Sequence, residues 1–299
     1  MRFDFHRIPY YLVKILLMPF GLDNIATYWA EKRGFNLIVK KLNWAYTDYS
    51  IFNVPINTTV NYNKTIWVYW KQGLENAPFL VRKCVDSVLK NKGIYNVVFL
   101  TAQNVSEYIK FPEFINQKHQ KGYISEAHYS DLLRTQLLIL YGGIWIDATC
   151  YITGSLPVEV EKSSFFMFST ANWWPWVKNP SLCSNWFIKS NKDNLLLIRT
   201  RNFLFEHWRK RNRVLHYFVY HFAFSALVEK DKECGDIWNK VPFYSNINPH
   251  YLMYSFEKKF ELDNYQYILS QSFIHKCTYK YDKNLLCESS ENNLQHFLK

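Results

Sequence analysis

One uninterrupted stretch, residues 130–149, limits what this chain can fold into more than any other. It reads Ser130-Asp131-Leu132-Leu133-Arg134, passes through Leu137-Leu138, and ends Tyr141-Gly142-Gly143-Ile144-Trp145-Ile146-Asp147-Ala148-Thr149. Residues 124–140 carry a helical pattern, in which Asp131 and Arg134 are three apart and share a face. The double glycine accepts the positive φ of a sharp helix-to-strand turn. Ile144-Trp145-Ile146 then makes a short apolar strand. Asp147 emerges at its carboxyl end, with Thr149 two residues on and on the same side.

Upstream, Thr65-Ile66-Trp67-Val68-Tyr69-Trp70 reads as a buried strand, and residues 95–100 read as another strand. Between them residues 77–89 read as a helix, with Pro78 near its start and one stripe of Leu80, Val81, Cys84, Val85, Val88 and Leu89. This strand–helix alternation predicts an α/β fold built on a right-handed parallel sheet, whose ligands sit beyond the carboxyl ends of the strands. A polar turn cluster, residues 57–64, divides the chain: residues 1–62 read as a helical segment packing on a larger α/β domain of residues 63–285. Helical spacing recurs over residues 195–230. The tail, residues 286–299, is polar and predicted to fray.

Hydrophobic residues make up 48% of the 299 and charged residues 20%, which excludes intrinsic disorder, collagen-like repeats and a disulfide scaffold. The cysteines, Cys84, Cys150, Cys183, Cys234, Cys277 and Cys287, form no CxxC pairs and no zinc spacing, a scatter that suits reduced thiols in a cytosolic enzyme. A formal net charge of +11 admits nucleic acid, an anionic membrane or phosphorylated small molecules as partners. The 11 Trp, 22 Tyr and 23 Phe weaken the generic nucleic-acid reading, which needs exposed Lys and Arg rather than rings. Most rings belong in a core, and a few can stack on sugars or bases. The apolar run from Ile8 to Phe20 is interrupted by Lys14 and is too short to span a bilayer, so it reads as a helix on the core or on a membrane surface.

A carboxylate at Asp147 with a hydroxyl at Thr149 suits a divalent ion held against a pyrophosphate. The plainer alternative is an intrahelical ion pair, Asp131 with Arg134, and a strand-ending Asp that caps a turn. The tight succession of all these residues favours the first.

The same stretch resembles the core motif of GT-A-fold sugar-nucleotide glycosyltransferases, an S-D-x-x-R helix followed by G-G-x-x-x-D-x-D. More narrowly, the chain resembles the bacterial capsular polysaccharide synthesis glycosyltransferases, relatives of glycosyltransferase family 32. Residues 66–73 (IWVYWKQG) with Asn76-Ala77-Pro78, residues 122–127 (GYISEA) and Ser272-Phe273-Ile274-His275-Lys276 agree with that group. The resemblance implies a GT-A-like, Rossmann-type mixed sheet flanked by helices, with an N-terminal helical extension. It implies that Tyr69 and Trp70 border the nucleobase, with Gln72 and Gly73 in the same loop. Asp131 and Arg134 would bind hydroxyls of the donor sugar, and Asp147 would lie near the ribose and metal. Gly143 and Lys276 join the nucleotide-sugar set. A metal, Mn²⁺ or Mg²⁺, would be held by Asp147, Thr149 and His275, with Thr149 standing where the group's second Asp normally ligates.

The function that the resemblance implies is that of a retaining hexosyltransferase. It would move a galactose- or glucose-type sugar from a UDP-sugar to an undecaprenyl-diphosphate-linked oligosaccharide for capsule or exopolysaccharide. It would work in the cytoplasm, peripherally on the inner face of the cell membrane. Lys280 could add charge at the diphosphate. His216 or His221 could line an acceptor cleft, though a lone helical His is more often packed or exposed, and Trp173, Trp174, Trp176 and Trp186 could stack on a sugar acceptor or bury a mobile loop. The run Arg209-Lys210-Arg211-Asn212-Arg213 is a solvated face or a lipid contact. The competing readings are a basic nucleic-acid-binding protein and an inactive, glycosyltransferase-like sugar-binding protein.

Overall fold

The computed structural model describes residues 23–172, 177–287, 289 and 291–299. The segment Ile8–Phe20 and the tryptophans Trp173, Trp174 and Trp176 lie outside the described residues. The chain runs α1 (Asp23–Val39), β1 (Thr65–Tyr69), α2 (Phe79–Lys90), β2 (Asn96–Leu100), α3 (Glu113–Gln120), α4 (Glu126–Tyr141), β3 (Gly143–Ile146) and β4 (Cys150–Ile152). It continues α5 (Val158–Lys162), β5 (Phe165–Ser169), β6 (Cys183–Ser190), α6 (Leu195–Lys210), α7 (Val219–Lys230) and α8 (Lys232–Trp238). Last come α9 (Ile247–Tyr254), α10 (Leu262–Ser270), β7 (Ile274–Lys276) and α11 (Asn293–Leu298).

Five strands form one sheet in the order β2-β1-β3-β6-β5. β1 pairs in parallel with β2 and β3, as the strand–helix alternation predicts. β6 returns antiparallel beside β3, and β5 beside β6, so the sheet is mixed and flanked by helices. β4 and β7 form a separate antiparallel pair.

Period-two alternation assigns the faces. Trp67 and Trp145 are register partners and face the larger core, built with α4, α6 and α7. Ile66, Val68, Ile144 and Ile146 face the other core, where Val81, Val85 and Val88 of α2 cover them. Every residue of β1 and β3 is buried, the mark of strands covered on both sides.

The double glycine turns as its sequence implies. Gly142 caps α4 at φ +65° and Gly143 opens β3 at φ +92°. A Cβ on Gly143 would lie 2.2 Å from the Thr65 carbonyl oxygen, so only glycine lets β3 start this close to β1.

Three details depart from the sequence reading. Ahead of β1 the only α-helix among the described residues is α1, followed by two 3₁₀ turns, Leu42–Tyr46 and Ser50–Phe52. This segment is tied to the back of α4, where Gln136 Nε2 donates to the Phe52 carbonyl and Tyr141 Oη accepts from Ile56 and Asn57 N–H. The block at residues 195–230 is two helices, α6 and α7, split at 211–218. The tail does not fray: α11 starts from a capping box at Asn292 and Gln295 and buries Leu294 and Phe297. Two apolar residues three apart are enough to dock a helix that composition makes look polar.

Candidate active site

Because β1 and β3 are parallel, their carboxyl ends open on the same edge of the sheet, and a cavity of about 810 Å³ lies there. Tyr69, Trp70 and Gln72 line it from the end of β1, Asp147 and Thr149 from the end of β3. The first turns of α4 bring Asp131 and Arg134 to the same wall. That helix is started by Ser125, whose Oγ accepts the His128 N–H, so its face is set by a local cap. Lys276 arrives from β7, and residues 278–280 close the rim.

Asp147 sits at the centre of the charge network. Its Oδ1 accepts from Trp145 Nε1 at 2.9 Å and faces Arg134 Nη1 at 3.2 Å, while its Oδ2 accepts from Lys276 Nζ at 3.0 Å. Burial alone would raise the Asp147 pKa, but Arg134 and Lys276 outweigh it and hold the carboxyl below its ordinary range. Burial likewise works against the Lys276 charge, and Asp147 overcomes it, so the ammonium is held more firmly than usual. Arg134 is itself fixed on three sides. It donates to the Asn185 carbonyl and to Ser130 Oγ at 3.0 Å, and its guanidinium lies 5.0 Å over the Trp145 ring.

Asp131 behaves differently. Its Oδ1 accepts from Asn185 Nδ2 at 2.8 Å and stands 3.6 Å from Arg134 Nη2. Burial is the largest effect on it and pushes its pKa up to about 6, against the pull of Arg134. Two carboxyls on one cavity wall therefore titrate apart, a feature common at functional sites.

Four polar atoms on residues of this cavity are buried without a partner among the described residues: Trp70 Nε1, His128 Nε2, Trp186 Nε1 and His221 Nδ1. Leaving a buried donor or acceptor unpaired costs free energy. Burial lowers the His128 pKa to about 4 and the His221 pKa to about 3, so both rings are neutral near pH 7. Tyr217 and Phe218 stand beside His221 on that wall.

Known proteins share this sequence pattern. Residues 26–296 match the family described as capsular polysaccharide synthesis protein, nearly the whole chain. The chain belongs to that family. Among curated proteins, this family member is similar to the O-glycosyltransferase braB of Annulohypoxylon truncatum, 35% identical over 102 residues, 31% of this chain and 24% of that one. It is also similar to the O-glycosyltransferase PaGT of Phomopsis amygdali, 23% identical over 157 residues, 48% of this chain and 38% of that one. The chain thus spans about a quarter to two-fifths of the length of the curated relatives it matches. These relatives are fungal, whereas the sequence reading looked to bacterial enzymes. Among solved structures the PaToxG glycosyltransferase aligns with 72% of this chain and 84% of its own, at 16% identity and a TM-score of 0.38.

Of the residues singled out in the family member's sequence, the structure gathers Tyr69, Trp70, Gln72, Asp131, Arg134, Asp147, Thr149, His221, Lys276 and Lys280 at one cavity. It does not bring Gly143 there. Gly143 opens β3 at the far end of the strand from Asp147, packed on Thr65. Gly73 turns the chain behind Trp70, its N–H donating to the Trp70 carbonyl at 3.1 Å, and is not part of the wall. His275 faces away from Lys276, as alternation along β7 requires. It is fully buried, with Nε2 on the Leu269 carbonyl at 3.1 Å. His216 lies in a separate groove beside α1. The basic run is partly neutralised, since Arg209 and Lys210 both pair with Glu206. Sequence reasoning missed Asn185 and Trp145 as site residues, because Asn185 meets Asp131 only through the pairing of β6 with β3.

The donor set does not fit a divalent ion. Lys276 Nζ bridges Asp147 Oδ2 and Thr149 Oγ1, the two oxygens that would ligate it. Among the described residues no group of three His, Cys, Asp or Glu side chains could hold a metal.

Proposed function

We propose that this chain is a glycosyltransferase that moves a hexose, of galactose or glucose type, from a UDP-sugar to a lipid-linked oligosaccharide, with retention at the anomeric carbon. One observation carries the reading: Asp131, Arg134, Asp147 and Lys276, drawn from α4, from the residue after β3 and from β7, converge in one cavity at the carboxyl ends of parallel strands. Membership of the capsular synthesis family and likeness to proteins named glycosyltransferases support it.

The chemistry is set by the charges. Transfer breaks the bond between the sugar C1 and the β-phosphate oxygen, and the electron pair leaves with the phosphate. Arg134 and Lys276 would lie where that negative charge grows, and fixed, preorganised cations are worth most there. Asp147 keeps both cations aimed and charged. In a front-face transfer, an acceptor hydroxyl oxygen bonds to C1 and its proton passes to the departing phosphate oxygen. No side-chain base is then required. Trp70, edge-on to Tyr279 at 5.3 Å between centroids, offers a face on which uracil would stack. Asp131, ionised above about pH 6, would accept from donor-sugar hydroxyls.

The wall of His128, Tyr217, Phe218 and His221 would meet the acceptor. No helix among the described residues is long and apolar enough to cross a membrane. The enzyme would work peripherally on the inner face of the cell membrane, where a diphosphate-linked lipid acceptor would be reached.

The test is UDP-sugar hydrolysis and transfer by wild type and Asp147→Ala. A loss of about a hundredfold or more is expected, in line with losing preorganised charge at a leaving group. Equal turnover would remove Asp147 from the site.

A further inference from the structure

The position between Asp147 and Thr149 is the one a divalent ion would take in this cavity, and a side chain already fills it. Lys276 Nζ lies 3.0 Å from Asp147 Oδ2 and 2.5 Å from Thr149 Oγ1. An ammonium carries three N–H groups, so two are spent on this bridge and one is left to donate outward to the cavity. Both oxygens of Asp147 are engaged, Oδ1 by Trp145 and Arg134, Oδ2 by Lys276. Mg²⁺ and Mn²⁺ want about six oxygens near 2.1 Å, and this wall offers one shared carboxylate and one neutral hydroxyl. The nearest other carboxyl, Asp131, has an oxygen held by Asn185. His275 cannot help, because it points to the opposite face of β7. An ion entering here would also meet two fixed positive charges, Arg134 and Lys276.

Resting on the nucleotide-sugar reading of the cavity, we propose that Lys276 takes the place of the divalent ion, and that the donor's diphosphate is held by Lys276 and Arg134 without metal. Lys276 lies 129 residues along the chain from Asp147, so the built-in cation is supplied by a strand pairing, β7 on β4, rather than from solution. The strand register makes this placement rigid: Cys150 pairs with Lys276, and the Cys277 N–H donates to the Thr149 carbonyl at 2.9 Å.

The experiment has two arms on the full chain. In the first, UDP binding is measured by calorimetry in EDTA and in Mn²⁺. The two affinities should agree within about twofold, and Lys276→Met should weaken UDP by about tenfold or more in EDTA, with Mn²⁺ restoring part of the loss. Lys276→Arg, which keeps the charge, should bind UDP within about fivefold of wild type and guards against a folding defect in the Met variant. In the second, the resonance signal of free Mn²⁺ is followed as wild-type protein is added, and should not fall. The proposal is overturned if Mn²⁺ strengthens wild-type UDP binding by about tenfold or more, or if the protein removes one Mn²⁺ and Asp147→Asn releases it. If UDP binds in neither buffer, the nucleotide-sugar reading fails, while the Mn²⁺ signal alone still upholds or overturns the absence of an ion site.

Discussion

Replacing Gly143 by alanine puts the helix-to-strand turn to a direct test. The new Cβ would stand 2.2 Å from the Thr65 carbonyl oxygen, where ordinary contact begins at 3.4 Å, so β3 must retreat from β1 by about 1 Å. The φ of +92° adds about 1–2 kcal/mol for any residue with a Cβ. Because the clash is with backbone, no side-chain rotation relieves it, and a total near 4 kcal/mol is expected, in the range reserved for a named structural conflict. Thermal unfolding should drop by about 8 °C or more, at about 2 °C or more per kcal/mol for a chain of this size. Two further variants separate the causes. Gly122 has φ +71° with nothing within 4 Å, so Gly122→Ala should show the backbone cost alone, about 1 kcal/mol. Gly154 has ordinary φ and its nearest neighbour at 3.8 Å, so Gly154→Ala should melt within about 1 °C of wild type. If Gly143→Ala and Gly122→Ala melt together, the close approach of β3 to β1 is refuted.

The buried carboxyl, the stacking ring and the docked tail can each be perturbed in turn. Asp131 titrates near 6 in the folded chain against 3.8 for its ordinary value, so the folded state holds the proton longer and stability falls as pH rises from about 3.8 to about 6; Asp131→Asn should flatten that slope in urea melts. Donor binding should strengthen over the same rise through pH 6 in wild type and stay level in the variant, as judged by calorimetry. Trp70→Ala should weaken UDP by about tenfold if the ring stacks on the base, and an unchanged affinity would remove Trp70 from the nucleotide. Phe297→Ala should cost about 3 kcal/mol in thermal or urea unfolding, because its buried ring packs edge-on to Tyr151 at 5.0 Å; no change would mean that α11 is not docked.

Much of the architecture could be read from spacing. The strands at residues 65–70, 95–100 and 144–146 and the helices between them were legible, since short apolar runs punctuated by turns mark them, although only β1 and β3 are buried throughout and β2, at the edge of the sheet, is half-exposed. The antiparallel β6 was not, because Asn185-Trp186-Phe187 carries no signal of which neighbour it will pair with. Nor was α11, whose few polar residues hide two that dock. His275 and Lys276 are adjacent in sequence and resemble the same motif, yet alternation along β7 sends one into the core and the other into the cavity. Only the way β7 is set against β4 by their pairing could decide between them.

The sequence by itself determined local features: a helix with Asp131 and Arg134 on one face, a glycine turn, and a strand that delivers Asp147 to its end. Those depend on contacts within a few residues, where periodicity and backbone freedom suffice. What only the tertiary structure decided is the company Asp147 keeps. Lys276 and Asn185 reach Asp147 and Asp131 through strand pairings that join distant parts of the chain. Such pairings depend on register across the whole sheet, which no short window of sequence contains. They set a lysine ammonium between Asp147 and Thr149, the two oxygens that the motif alone reads as metal ligands.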